Sequence, residues 1–317
     1  MKRALLVGID TYKEWTDLDG CVNDVVAVEK LLARHADGSP NFQCHVLRSN
    51  REKVTRRAFT SALNELFGGG ADVALLYFAG HGEKSAGDVV LRTYEGDAVD
   101  PGIPLSTILG KVQESKATEV IIVLDCCYSG GAGGVPALGG GVALIREGVT
   151  LLTAARKDQV ARETPDGRGL FSSLLCAALD GGAADVCGGV NAAGLYAYLS
   201  ESLGPWDQRP TFKANLDALH ELRRCAPAVP VEDLRRLARI FRAPGEALKL
   251  DPSYEPTAAP RNAKHEAVFA TLQRCRAAKL VEPVGTPHMY DAAMQRKSCR
   301  LTPLGQHYWR LADEDLL

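Results

Sequence analysis

No stretch of this chain approaches the ~20 consecutive apolar residues that a membrane-spanning helix needs. The amino terminus, Met1 to Asp10, meets charge too early to read as a secretory signal. An excess of one charge sign is also missing: 37 Lys and Arg stand against 39 Asp and Glu, a formal net charge of -2 with a pI near 6.4. That balance argues against a nucleic-acid-coating surface or a polybasic membrane patch as the dominant partner feature. The nine cysteines are odd in number and lack the C-x2-C spacing of zinc ribbons. Reduced thiols, no metal or other cofactor, no membrane and a cytoplasmic location are the expectations. No internal repeat is visible. What remains, 317 residues of which 46% are hydrophobic and 24% charged, suffices for one large or two modest globular domains.

Two apolar runs carry the most information. Val120 to Leu124, five apolar and mostly β-branched residues, read as a strand buried on both faces, as in the centre of a parallel sheet. It leads directly into Asp125, Cys126, Cys127, Tyr128, Ser129 and Gly130. A carboxylate, two thiols and two hydroxyls therefore fall at the carboxyl end of the strand, the edge where open α/β sheets place their ligands. A second run, Asp72 to Phe78, leads to Ala79, Gly80, His81 and Gly82. If the two strands are neighbours, His81 and Cys127 face each other across one cleft.

Strand and helix patterns alternate around these runs. A strand at 3–10, a polar loop at 11–20 and a helix capped by Asn23 or Asp24, with Val25, Val28, Leu31 and Leu32 at helical spacing, form a first unit. A strand at 42–48 and a helix at 54–67, stopped by Gly68 to Gly70, form a second. A hairpin around Asp88 to Arg92 and a helix at 104–113 precede the strand that ends at Cys127. After the Gly-rich stretch 130–141 come a strand at 149–154 and helices at 171–179 and 192–203, and Gln208 to Pro210 closes the sheet-forming region. The pattern implies an α/β fold, a mainly parallel sheet flanked by helices.

Cys225 to Pro230 reads as a boundary, giving domains at 1–225 and 231–317. Over residues 231–317 Lys and Arg exceed Asp and Glu by three, whereas they fall short by five over 1–230. Helical patterns at 231–241, 263–278 and 303–311, with short strands at 280–284 and 299–301, suggest a smaller winged-helix-like domain. Leu301 to Gly305, followed by Tyr308 and Trp309, resembles the last strand and helix of such modules. A DNA reader normally shows a clearer basic stripe, so a protein partner, an activator or regulator, is expected here and DNA is not.

A cysteine thiol with a pKa near ~8.5 is mostly protonated at neutral pH and needs a base in reach to become a nucleophile. His81 can take the Cys127 proton and later return one to a leaving amine. The amides of Gly82 and Cys127 are candidates to hold the oxyanion of a tetrahedral intermediate. Tyr77 to Gly82 together with Asp125 to Gly130 resemble the histidine and cysteine motifs of caspase-like peptidases, closest to metacaspases and their bacterial homologues. The likeness in motif order runs from Leu5 to about Asn215. By that resemblance the fold is caspase-like, Cys127 is the nucleophile and His81 its partner.

The resemblance also implies an acidic substrate pocket formed by Asp125 and Asp24, with Cys21 nearby. Two carboxylates there favour a guanidinium or ammonium, so proteins with Arg or Lys before the scissile bond are the expected substrates. The lesser readings are that Asp24 caps its helix, which does not exclude lining the pocket, and that Asp125 anchors loop amides instead of substrate. Calcium-dependent metacaspases carry acids where Pro104 to Thr107 falls and again after the nucleophile; this chain has none there, so no calcium requirement is expected. Ala79 replaces a serine frequent before Gly-His-Gly. Arg146, Arg156 and Arg168 are candidate processing points. The other cysteines, among them Cys21, Cys44, Cys126, Cys176, Cys187, Cys225 and Cys275, read as inert. Family analogy suggests a partner-regulated protease in stress response, bacterial defence or cell death. The rival readings are a catalytically silent scaffold that binds partners through the carboxy-terminal domain, and a DNA-binding regulator with a protease-like sensor.

Overall fold

In the computed structural model the described residues are 1–85, 88–126, 145–154, 167–203 and 210–317. Contacts divide the chain into two compact units: 1–184 with 189–225, and 185–188 with 226–317.

The first unit is built on strands β1 (Lys2–Gly8), β2 (Gln43–Arg48), β3 (Val73–Gly80), β7 (Glu119–Cys126), β8 (Val149–Thr153) and β10 (Thr211–Asn215). Between and after them come β4 (Gly82–Ser85), β5 (Asp88–Arg92), β6 (Gly102–Pro104), β9 (Gly189–Val190) and β11 (Arg223–Arg224). Its helices are α1 (Cys21–Ala33), α2 (Arg56–Gly68), α3 (Leu105–Glu114), α4 (Leu170–Ala177) and α5 (Ala192–Leu203). The six-stranded sheet has the order β10-β8-β7-β3-β1-β2 and is parallel except for β10, which runs antiparallel to β8. Every residue of β3 and of β7 is buried, as expected of central strands covered on both sides.

Alternation along the strands feeds two cores. Leu5, Val7, Leu76, Phe78, Ile122 and Leu124 pack with α2 and α3 side chains such as Phe59, Leu63 and Ile108. Leu6, Leu75, Tyr77, Ile121 and Val123 pack on the other face with Val25, Phe171 and Leu195 of α1, α4 and α5. Period-two strands buried on both faces thus produce a three-layer helix-sheet-helix domain.

Two sequence expectations change. Neither Asn23 nor Asp24 caps α1, which starts at Cys21 with Gly20 as its first flanking residue and no side-chain cap of its own. The acceptor comes instead from the end of the preceding strand: the Asp10 carboxylate receives the N–H groups of Cys21 at 2.8 Å and Val22 at 3.2 Å. A carboxylate at a helix amino terminus satisfies orphan donors and favours the dipole whether it is local or not. This close approach also explains Gly8, where a Cβ would meet the Cys21 carbonyl at 2.6 Å. The sheet, moreover, does not close at Pro210, because β10 follows directly as its antiparallel edge. The expected hairpin at 88–92 is present as the antiparallel pair β4–β5, and β6 adds a third strand on the far side of β5.

The second unit contains α6 (Val231–Ile240), β12 (Ala247–Lys249), a 3-10 turn (Pro252–Tyr254), α7 (Ala263–Ala277), β13 (Val281–Val284), α8 (Met289–Met294), β14 (Ser298–Leu301) and α9 (Pro303–Asp313). β12 and α8 are too short for periodicity to reveal. The three strands form an antiparallel sheet of order β12-β14-β13. Thr302 caps α9 by accepting the Gly305 N–H at 3.1 Å, with Pro303 at the first helical position. The buried Asp233 carboxylate is satisfied by Thr271, Arg274 and Arg236. Among the described residues no helix is long and apolar enough to cross a membrane.

Replacement of the Asp10 carboxylate in Asp10→Ala is expected to lower unfolding free energy by roughly 1–2 kcal/mol. Asn23→Ala should cost less than about 0.5 kcal/mol. Urea denaturation of the full chain measures both, and the reverse ranking would return the cap to Asn23.

Candidate active site

His81 follows β3 directly, and parallel pairing sets Ala79 opposite Asp125 and Gly80 opposite Cys126 at the carboxyl ends of β3 and β7. Its main-chain N–H donates to the Tyr12 hydroxyl at 2.8 Å, and the two rings lie 4.8 Å apart, tilted by 48°. Gly80 is required by the same approach, since a Cβ there would lie 2.7 Å from the Tyr12 hydroxyl.

On the imidazole, Nε2 lies 2.8 Å from the Thr16 main-chain carbonyl. A carbonyl only accepts, so this contact assigns the proton of the neutral ring to Nε2 and leaves Nδ1 as the basic nitrogen. Burial pushes the His81 pKa below its ordinary value; the Thr16 carbonyl opposes that shift, Arg92 reinforces it and Asp17 opposes it. Gly82, buried, opens β4 and pairs with Leu91 of β5.

The acidic residues are buried nearby. Asp125 is 4% exposed and accepts the Ser172 hydroxyl at 2.5 Å. That hydroxyl is 2.6 Å from the phenol of the fully buried Tyr77, so Ser172 donates to the carboxylate and accepts from Tyr77. Asp24, 3% exposed, receives the Gly169 N–H at 3.2 Å on each oxygen. The Cys21 thiol is pushed well up by burial first, then by the fields of Asp10, Asp125 and Asp24. These groups share one neighbourhood, and the thiol stays protonated there.

Cys127 and Arg156 lie outside the described residues. Arg146 is half-buried, its guanidinium donating to the carbonyls of Val112 at 2.9 Å, Ala117 at 2.9 Å and Glu147 at 2.7 Å. A protease pocket could take that side chain only after all three bonds are broken. Arg168 is half-buried between Gly167 and Gly169, and its charge and a hydrogen bond oppose the rise that burial imposes on the Cys176 thiol pKa. Burial pushes the thiol of Cys44 up to about 12, that of Cys176 to about 11 and that of Cys275 to about 12. Among the described residues no group of three or more His, Cys, Asp or Glu side chains is arranged to hold a metal ion.

Sequence reasoning missed Thr16, Tyr12, Tyr77 and Ser172. Thr16 acts through a main-chain oxygen, which any residue has, and the other three depend on neighbours 69 and 95 positions away. Only a tyrosine in the polar loop and another in the β3 run hinted at buried hydroxyls that need partners.

A mainly parallel sheet with an imidazole at the carboxyl end of one central strand, beside the strand that carries Asp125, defines a caspase-like α/β domain. The chain belongs to the caspase family, a family of cysteine peptidases: the model of the caspase domain matches residues 1–215. Over 155 residues it is 25% identical to Metacaspase-1 of Mycosarcoma maydis, which takes in 43% of this chain and 37% of that protein. The chain thus spans little more than a third of that relative's length. The crystal structure of protein GSU0716 from Geobacter sulfurreducens superposes with a TM-score of 0.48 at 16% identity, covering 67% of this chain and 93% of that one.

Because burial lowers the His81 pKa, its imidazole is expected to titrate below about 6.5 when followed by NMR. The unfolded chain then binds the proton more readily, so stability falls as pH drops below about 6.5 and levels off beneath the folded-state value. His81→Gln should remove that part of the acid sensitivity. A titration at or above about 6.5 would show that burial does not govern this ring.

Proposed function

We propose that this protein is a cysteine endopeptidase that cleaves proteins after Arg or Lys, with Cys127 as nucleophile and His81 as its base. The observation that carries the reading is the His81 ring, with Nε2 committed to the Thr16 carbonyl at the end of β3, beside the end of β7 from which Cys127 continues. In this reading Nδ1 takes the thiol proton as sulfur attacks the scissile carbonyl. The imidazolium then gives that proton to the departing amine, leaving a thioester that water hydrolyses with His81 again as base. The amides of Gly82 and Cys127 serve as oxyanion donors.

Asp24 and Asp125 supply the acidic pocket, with Cys21 as a protonated wall. Both carboxylates are already hydrogen-bonded on the protein side, which limits their rotation and leaves a charged pair matched to a guanidinium. The Asp preference of animal caspases would require cations where these anions stand. No calcium or other cofactor takes part in this mechanism.

The second unit fits a winged-helix-like module in its element order and in its β12-β14-β13 sheet, with α8 inserted between the last two strands. Its modest positive charge favours a protein activator or regulator over DNA, and a role in stress, defence or cell-death control follows from the family alone.

Peptides ending in a fluorogenic group after Arg or Lys should be hydrolysed, one ending after Asp should not, and Cys127→Ala should reduce turnover to background. Asp125→Asn should lower kcat/KM for the Arg peptide by roughly 10- to 100-fold; faster cleavage after Asp would overturn the pocket assignment. Mass spectrometry after incubation should show fragments ending at Arg156 or Arg168 in the wild type but not in Cys127→Ala. Identical intact masses would reject self-processing.

A further inference from the structure

Thr16 sits within the polar loop between β1 and α1, yet it fixes the His81 imidazole through a main-chain oxygen. A loop carbonyl keeps such a position only if the peptides around it are held. On one side the Leu18 N–H donates to the Asp10 carbonyl at 2.7 Å, and the Asp17 carboxylate accepts the Tyr12 N–H at 3.0 Å. On the other side stands Trp15, partly buried against the core. The Arg92 guanidinium carbon lies 3.4 Å from the centre of the Trp15 ring.

Arg92 is itself tied down. Its guanidinium donates to Glu83 at 2.9 and 3.3 Å, and its main-chain N–H donates to the His81 carbonyl at 3.0 Å. The contacts therefore close a circuit: the His81 ring on Thr16, Trp15 next in the chain, Arg92 on Trp15, and Arg92 back to His81. The Arg92 side chain is only 16% exposed, so its attraction to the indole face is less screened than on an open surface.

We propose that Arg92 and Trp15 form a clamp that positions the Thr16 carbonyl on His81 Nε2 and so selects the tautomer whose Nδ1 accepts the proton. Neither touches the reacting atoms; both are positioning residues. The clamp rests on the reading of His81 as the base. The charged groups that face this ring are Arg92 and Asp17, with the Tyr12 phenol against its side, and Arg92 also opposes protonation of the ring.

Imidazole NMR of 15N-histidine-labelled full-length Cys127→Ala reports the tautomer without turnover, with His81→Gln identifying the signal among seven histidines. The parent should hold the proton on Nε2, Arg92→Gln and Trp15→Leu should give mixed tautomers, and Trp15→Phe, which keeps a ring face for the guanidinium, should restore the single form. In the chain with Cys127 intact, Arg92→Gln and Trp15→Leu should lower kcat for an Arg peptide roughly tenfold with little change in KM. Unchanged tautomer populations in Arg92→Gln and Trp15→Leu overturn the clamp whatever the activity. If Trp15→Leu does not fold, Arg92→Gln decides alone. A tautomer fixed in the parent and lost in the variants, in a chain that hydrolyses no peptide, upholds the clamp and removes the hydrolase reading.

Discussion

A main-chain carbonyl accepts hydrogen bonds and cannot donate them, and that restriction organises the candidate site. With Thr16 fixed against Nε2, the neutral His81 ring is left one basic nitrogen. The arrangement requires three separate pieces of chain to meet: the end of β3, the loop ahead of α1, and β5 with its Arg92. The parallel β1–β3 pairing brings Gly8 level with Ala79, so the loop leaving β1 and the residue leaving β3 emerge at the same edge. Tyr12 then packs on His81 because Gly80 leaves room for its hydroxyl.

Burial of carboxylates is the second theme. Asp10, Asp24 and Asp125 all lie near one thiol, Cys21. Isolated anions would be costly there, and each is met by donors: Asp10 by the first amides of α1, Asp24 by the Gly169 amide, Asp125 by Ser172. Asp10 in addition stitches β1 to α1, which releases Asp24, inside the first turn of that helix, to reach residue 169 rather than cap its own amides.

Much of this was legible in the residues. The runs 120–124 and 72–78 are apolar without alternation, and both proved to be central strands buried on each face. The helix over 192–203 and the longer helices of the second unit, α6, α7 and α9, follow from their spacing. Illegible elements were those without a periodic signal: three-residue β12, six-residue α8, and β10, masked by the turn-forming Pro210 before it. For the site, His81, Asp24 and Asp125 were picked out as candidates because their chemistry is written in their side chains. Ser172 and Tyr77 were not, because a serine on α4 and a tyrosine in a strand look like ordinary core until the fold brings their hydroxyls to 2.6 Å.

Composition and pattern by themselves determined the α/β class, the order of its central strands and longer helices, and the residue types able to do acid–base and anionic work, since these depend on local periodicity and intrinsic chemistry. The tertiary structure alone decided which nitrogen of His81 is tied up, which acid caps α1, and which hydroxyl orients Asp125. Each of those depends on a hydrogen bond between groups far apart along the chain. A hydrogen bond exists only at a distance and angle that strand register and helix packing set, and no residue carries that geometry in its own identity.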